Sequence, residues 1–322
     1  MAEWQTRTVQ VRVSVRTWGF NSPLAHYLPV SKMPAGTVAV VTYVFAPEWN
    51  RERKRLAGIE AAADLVSSDV LSRLGVGPGW RCAEVGAGGG SLARWLADRV
   101  GDTGQVIATD LDIGYLKADE APNLQVLQHD LNVDDRPGEP FDLVHTRLVL
   151  EHLPDPAGAA QRLAGWVRPG GWLVVEAGDW STRYEITPSA VFEAALIAVQ
   201  KFLTSAGFDP MFGRHLPVLL RAHGLVDVGC EARGRMLRGD TPEMEFFTLT
   251  IERARTVMVA AGLISDTDVA AALALCADPT FAVMSPALVS AWARVPLPDP
   301  HPHSEPNRGS KGSAECHSEP TP

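Results

Sequence analysis

The chain is short of the residues that mark secreted, metal-dependent or nucleic-acid-binding proteins. Its four cysteines, Cys82, Cys230, Cys276 and Cys316, lie far apart and form no C-x-x-C pair. That spacing argues against a disulfide scaffold and against a zinc site, so no metal is expected and a reducing, cytoplasmic setting is the default. Positive charge is in deficit: 29 Lys and Arg face 38 Asp and Glu, for a formal charge of −9. With no basic stripe to track a phosphate backbone, no nucleic-acid partner is expected, and a small neutral or basic ligand suits the balance better. No apolar run approaches a membrane span and the N-terminus lacks a signal-peptide core, so no membrane partner is expected either. Nothing in the sequence bears on oligomeric state.

What is present is an ordinary folding composition, 46% hydrophobic and 21% charged over 322 residues, enough for one large domain. The two ends differ from the middle. Residues 1–41 contain a single acid, Glu3, and an alternation at Val9, Val11, Val13 and Val15 with no evident partner strand; a disordered extension or a start assigned too early is expected there. From Pro296 onward seven of 27 residues are proline and most others are His, Ser, Glu or Gly. A tail of that kind cannot bury enough apolar surface to fold, so 296–322 is expected to be disordered. The folded domain is therefore expected over 42–295.

Within it, Pro47-Glu48 opens a helix expected to reach about Val66, with a second short helix to Leu74 before the Gly75–Gly79 turn. Strands and helices then alternate. Strands are expected at Arg81–Val85, Gln105–Thr109, Leu124–Gln128, Phe141–His145 and Trp172–Glu176, with helices at Ser91–Val100 and Pro156–Val167. Alternation of this type predicts an α/β fold built on a parallel sheet with right-handed crossovers. A sixth strand is expected at Leu225–Glu231 and a seventh at Val289–Val295. Helical insertions, expected at about 181–223 and 241–279 after strands five and six, are where a lid or substrate pocket would be built.

The most informative segment is Cys82-Ala-Glu-Val-Gly-Ala-Gly-Gly-Gly-Ser91. An apolar strand ends, glycines recur at Gly86, Gly88 and Gly90, and a helix with Leu92, Trp95, Leu96 and Val100 on one face follows at once. Glycines permit positive φ and let a ligand approach the main chain, and the loop N–H groups are expected to be free for a carboxylate. A dinucleotide fingerprint needs a third glycine or alanine where Ser91 stands, so that match fails. E-x-G-x-G-x-G, with Glu84 as the acid, fits. Asp110 ends the second strand and Asp130 the third, each a carboxylate at a strand end.

This combination resembles the first motifs of class I S-adenosylmethionine-dependent methyltransferases, a Rossmann-like fold with a seven-stranded, mostly parallel sheet and helices on both faces. The resemblance implies S-adenosyl-L-methionine as cofactor. It places Glu84 by the methionine ammonium and the loop Gly86, Ala87, Gly88 and Gly90 under the methionyl part and ribose. It further implies Asp110 on the ribose hydroxyls, Leu111 against adenine, Asp130 on the adenine amino group and Leu131 by its backbone N–H. Arg168-Pro-Gly-Gly-Trp172 before strand five is similar to the family's turn there. Phe141–Pro154 resembles the fourth motif but lacks the Asn/Asp-Pro-Pro-aromatic set of nucleic-acid and amide methyltransferases, and its Glu151-His152 pair looks like that of small-molecule enzymes.

Methyl transfer from a sulfonium is an in-line displacement that needs alignment and a dry site rather than a nucleophile or metal. A base can help where the acceptor carries a proton. His152 is the first candidate, with Glu151 beside it and His145 as the weaker alternative. Trp180, Tyr184 and Phe192 are candidates to contact a small-molecule acceptor, with packing as their alternative use. Two rival readings stay open at this point: an NAD-dependent oxidoreductase, and a non-catalytic S-adenosylmethionine-binding protein.

Overall fold

The five strands expected between Arg81 and Glu176 all form, and all of them join one sheet. A computed structural model of the protein describes residues 51–116 and 121–298; the 1–41 extension and all but the first residues of the 296–322 tail lie outside them. In chain order the strands are β1 (Arg81–Val85), β2 (Gln105–Asp110), β3 (Leu124–Gln128), β4 (Phe141–Arg147), β5 (Val167–Asp179), β6 (Tyr184–Glu185), β7 (Val226–Arg233), β8 (Met236–Arg238), β9 (Ala282–Met284) and β10 (Ala287–Arg294). Seven form the main sheet in the order β3-β2-β1-β4-β5-β10-β7. The first five run parallel, and β10 is antiparallel to both of its neighbours. The chain leaves β1 for β2 and β3 on one side and returns to lay β4 on the other. That reversal opens a crevice beyond the carboxyl ends of β1 and β4, where ligands of such sheets bind.

Helices cover both faces, as the alternation predicts. On one face α1 (Glu52–Arg73) contributes Val70 and Leu71, and α2 (Ser91–Val100) contributes Leu92, Leu96 and Val100, to a core with Val106 and Leu143. On the other, α3 (Pro156–Trp166) packs Leu163 and Trp166 against Phe141 and Leu173. Asp155 caps α3, its carboxylate accepting the Gly158 N–H at 2.9 Å, and Pro156 occupies the first turn where no donor is needed.

Several boundaries depart from the sequence expectation by one to three residues, and two by more. The helix expected to break near Val66 continues to Arg73 as one element, because Ser67 is satisfied inside it: its hydroxyl meets the Ala63 carbonyl and donates to the buried Glu176 carboxylate. The β5 strand starts at Val167, five residues early, with Arg168-Pro-Gly-Gly171 absorbed as an irregularity in its pairing with β4.

The inserted segments are helical, but short strands not expected from the sequence lie within and beside them. α4 (Ala190–Ser205), α6 (Glu245–Ala260) and α7 (Asp266–Cys276) share a second core with Phe192, Phe247 and Phe281. They are joined by a small antiparallel sheet, β6-β9-β8. Those strands are two or three residues long and pair across about 45 to 100 positions, so no local periodicity announces them. α5 (Leu216–Ala222) belongs instead to the main core, through Leu216 and Leu220. Gly58 lets α1 approach this cap: a Cβ there would lie 2.6 Å from the Phe246 nitrogen.

Candidate functional site

A cavity of about 480 Å³ lies past the carboxyl ends of β1 to β4, roofed by α1 and the helical cap. Glu84, Gly86, Ala87, Gly88, Asp110, Leu111, Asp130 and Leu131 all line it, so residues from three strand ends that the sequence singled out separately converge on one space.

The loop after β1 is held from below. Gly86 and Ala87 donate their N–H groups to the Thr109 carbonyl at 2.8 and 2.9 Å, and Gly88 donates to the Asp110 carboxylate at 2.8 Å. The expectation that these N–H groups would be free is corrected: the neighbouring parallel strand ends within reach and takes three of them. What the glycines supply is backbone shape and close approach. Gly86 and Gly88 have φ of 74° and 57°, a region costly to side-chain-bearing residues. A Cβ on Gly86 would lie 2.2 Å from a Val149 methyl, and one on Gly89 2.1 Å from the Glu60 carboxylate on α1.

Gly90 is also corrected. It is not on the cavity wall; it takes a left-handed conformation as the residue preceding α2, with Leu116 and Arg94 packed where its Cβ would stand.

Asp110 joins the loop to β2. Besides Gly88 it accepts the Asp112 N–H at 3.1 Å; each carboxylate oxygen can take a second bond, so capacity is left for a ligand. Burial pushes its carboxyl above the usual range, while these backbone donors oppose the shift. Asp112 caps the following turn through Gly114, at 2.9 Å. Asp130 accepts from the Asn132 backbone and side-chain amide, both at 2.9 Å. Tyr115 and Asn132 also line the cavity. They were missed because they sit in loops just past the strand ends, and only their position after Asp110 and Asp130 hinted at it.

Beneath Glu84 lies a buried polar network. Register places Glu84 beside His145 and Ser290 beside Glu176, with all four residues on one face of the sheet. His145 Nδ1 is 2.6 Å from Glu84 Oε2, and Nε2 is 3.2 Å from Glu176 Oε2. Ser290 donates to Glu176 at 2.5 Å, and Ser67 of α1 also donates to it. Arg147 extends the chain to α1 by donating to Ser67 and Asp64, both at 2.8 Å. Burial alone would lower the His145 pKa, but the carboxylates of Glu84 and Glu176 reverse this and hold the ring at about 9. Burial likewise raises Glu176, and the His145 contact brings it below the ordinary value.

His145 is therefore corrected as a candidate base. It is fully buried and off the cavity wall, and carboxylates engage both of its nitrogens. Its place is to position Glu84. Glu176 was missed; the signal was an acid ending the apolar run Trp172-Leu-Val-Val-Glu176.

Glu151 and His152 do reach the cavity, on a single turn after β4. Glu151 is buried; Oε1 accepts the Gly178 N–H at 3.4 Å, while Oε2 has no hydrogen-bond partner among the described residues. Burial pushes its carboxyl up to about 8. His152 is half-buried and tilted against Phe208 at 4.8 Å between centroids. Burial, aided by the Arg55 charge, pulls it down to about 4, so it is neutral at pH 7. Of the aromatic candidates, Trp180 lines the cavity with Phe208 and Phe246, whereas Phe192 is in the cap core and Tyr184 is exposed on β6. Among the described residues no cluster of metal-ligating side chains occurs, and no helix is long and apolar enough to cross a membrane.

Comparison with known proteins matches residues 44–187 to a family described as a methyltransferase domain. Methyltransferase str2 of Strobilurus tenacellus is 31% identical over 156 residues, 47% of this chain and 55% of that protein. Methyltransferase str3 of the same organism is 31% identical over 192 residues, 57% of this chain and 66% of that protein. A ubiquinone biosynthesis O-methyltransferase of Paracidovorax citrulli is 38% identical over 100 residues, 30% of this chain and 42% of that protein. The chain thus spans 55% and 66% of the lengths of the first two relatives.

Proposed function

We propose that the chain, whose residues 44–187 match a family described as a methyltransferase domain, is a class I S-adenosylmethionine-dependent methyltransferase that methylates a hydroxyl of a small, uncharged acceptor. The observation that carries this reading is one cavity with two chemically different ends. At one end Glu84, Asp110 and Asp130 bracket the glycine loop. At the other Trp180, Phe208 and Phe246 form an apolar wall, and Glu151, whose buried Oε2 has no hydrogen-bond partner among the described residues, also lines the cavity.

The residues present fit the cofactor. A buried carboxylate at Glu84 complements an ammonium, Asp110 retains acceptor capacity for ribose hydroxyls, and the glycines leave the main chain approachable. When bound, S-adenosylmethionine supplies an electrophilic methyl on a sulfonium. The chain's own residues hold and desolvate the reactants: the aromatic wall excludes water, and the arginines on the cavity wall, Arg55 and Arg147, are paired with Glu52 and Asp64. Glu151 would take the proton that the acceptor hydroxyl loses on receiving the methyl, the carbon–sulfur bond breaking to leave a neutral thioether. A carboxyl near 8 is matched to such a transfer close to neutral pH, better than a histidine near 4. Neutral His152 orients the acceptor by hydrogen bonding. A relative named as a ubiquinone biosynthesis O-methyltransferase is in keeping with oxygen as the receiving atom.

Calorimetric titration of the purified chain tests the donor. Saturable binding of S-adenosylmethionine and S-adenosylhomocysteine without NAD binding is expected; NAD binding alone would overturn the reading. A labelled-methyl assay across phenols, amines and carboxylates then tests the acceptor, with transfer to phenols expected.

The base makes its own prediction. Glu151 is protonated below its pKa and becomes a base above it, so turnover of a phenol is expected to rise with pH through about 8. Glu151→Gln is expected to lose that rise and about 10²-fold or more of kcat. A variant retaining the same pH limb would assign it to another group.

A further inference from the structure

We propose that a small cavity beside the acceptor end is a second compartment of the same site, which receives an unbranched apolar substituent of about four to six carbons carried by the acceptor. This rests on the reading of the main cavity as a methyl-transfer site. The side cavity measures about 70 Å³ and shares Ile59, Leu148, Trp180 and Phe246 with the main one.

Helix α1 borders both spaces with one stripe. Leu56 and Ile59 face the main cavity, and Ile59, Ala62, Ala63 and Val66 face the side cavity, a spacing of i, i+3, i+4 and i+7. From Leu56 to Val66 this track runs about 15 Å at 1.5 Å per residue. On an ordinary surface helix such a stripe would be spent on the core; here it borders open volume.

Leu148 stands at the partition. Its φ of 56° puts a large side chain in the left-handed region, and its N–H is tied to the Glu176 carbonyl at 2.8 Å. In that conformation it packs on Ala63, Val66 and Leu288 while lining both cavities. Bulky residues take this backbone rarely, and they do so chiefly where a site fixes it.

The chemistry of the side cavity is apolar. Leu237, Ala287 and Leu288 close it opposite α1. The arginines on its wall are committed elsewhere: Arg233 to Asp69 at 2.6 Å, and Arg235 to the carbonyls of Ala61 and Ala62 at 2.7 and 3.1 Å. An anionic or strongly polar group would find no free counterpart, while water gains little in such a space. A water needs about 10–15 Å³ by the same measure, so the volume holds about five groups of that size, which sets the length of the substituent.

The test uses the full chain saturated with S-adenosylhomocysteine and titrated with phenol, 4-propylphenol, 4-pentylphenol and 4-heptylphenol. Affinity is expected to rise about threefold to fourfold per carbon as far as pentyl and then level off. In Ala63→Phe, which fills the side cavity, the rise is expected to vanish while phenol and S-adenosylhomocysteine bind within about twofold of wild type. Should that variant fail to fold, Ala62→Phe at the half-buried neighbouring position makes the same comparison. Affinity independent of chain length in wild type, or an unchanged rise in the filled variants, would overturn the compartment while leaving methyl transfer intact. Failure of S-adenosylhomocysteine to bind would instead remove the donor site, and the compartment with it.

Discussion

His145→Ala is expected to destabilise the fold by about 3–5 kcal/mol and to weaken S-adenosylmethionine binding by at least about tenfold. The histidine is the cation between two buried carboxylates, Glu84 at 2.6 Å and Glu176 at 3.2 Å. Removing one partner of a buried ionic set leaves its neighbours uncompensated, which costs far more than the set contributes net. Glu84 then meets Glu176 without a proton between them, and either takes one up or turns away from the loop. Urea denaturation gives the stability loss, and calorimetry at a temperature where the variant is folded gives the affinity. Unchanged affinity in a folded variant would show that Glu84 is placed without the histidine.

The pH dependence adds a separate reading of the same group. A histidine raised from 6.5 to about 9 on folding contributes stability in full below pH 6.5 and loses it as pH climbs through about 9. The stability gap between wild type and His145→Gln is therefore expected to be widest in mild acid and to close on the alkaline side. A gap constant from pH 6 to 10 would mean the ring is neutral in the folded protein.

Gly88→Val is expected to reduce cofactor affinity by about 100-fold or more while lowering thermal stability by only a few degrees. Gly88 lines the cavity at a φ of 57°, and its Cβ would lie 3.4 Å from a Leu56 methyl, in contact but without gross overlap. A left-handed β-branched residue costs about 1–2 kcal/mol, which the fold can absorb. The two valine methyls, however, must enter the gap between loop and α1 that a ligand would occupy. Gly86→Val is the contrast: with Val149 at 2.2 Å it disturbs the exit from β4 itself, and loss of folding is expected there. Equal cofactor affinity in Gly88→Val and wild type would move the donor site elsewhere in the cavity.

Strand positions and the acids at the strand ends that line the cavity were legible because they are local. The strands around the glycine loop are apolar runs bounded by turn residues, and Glu84, Asp110 and Asp130 stand at their ends, where the topology of a parallel sheet collects ligands. The acceptor half was legible in part. Glu151 and His152 were readable as a pair, but not how each holds its proton, because a pKa is set by surroundings: burial drives a carboxyl up to about 8 and an imidazole down to about 4.

By itself the sequence determined the α/β alternation, the class of nucleotide-type loop and the failure of the dinucleotide spacing at Ser91, all of which are properties of neighbouring residues. The tertiary structure decided what depends on register and long-range packing. It brought Glu84, His145 and Glu176 onto one sheet face from positions spread over about 90 residues, and spent three loop N–H groups on the end of β2. It also pinned Leu148 between two cavities. Side chains on adjacent strands meet because of how strands pair, and nothing within a single strand records its partner.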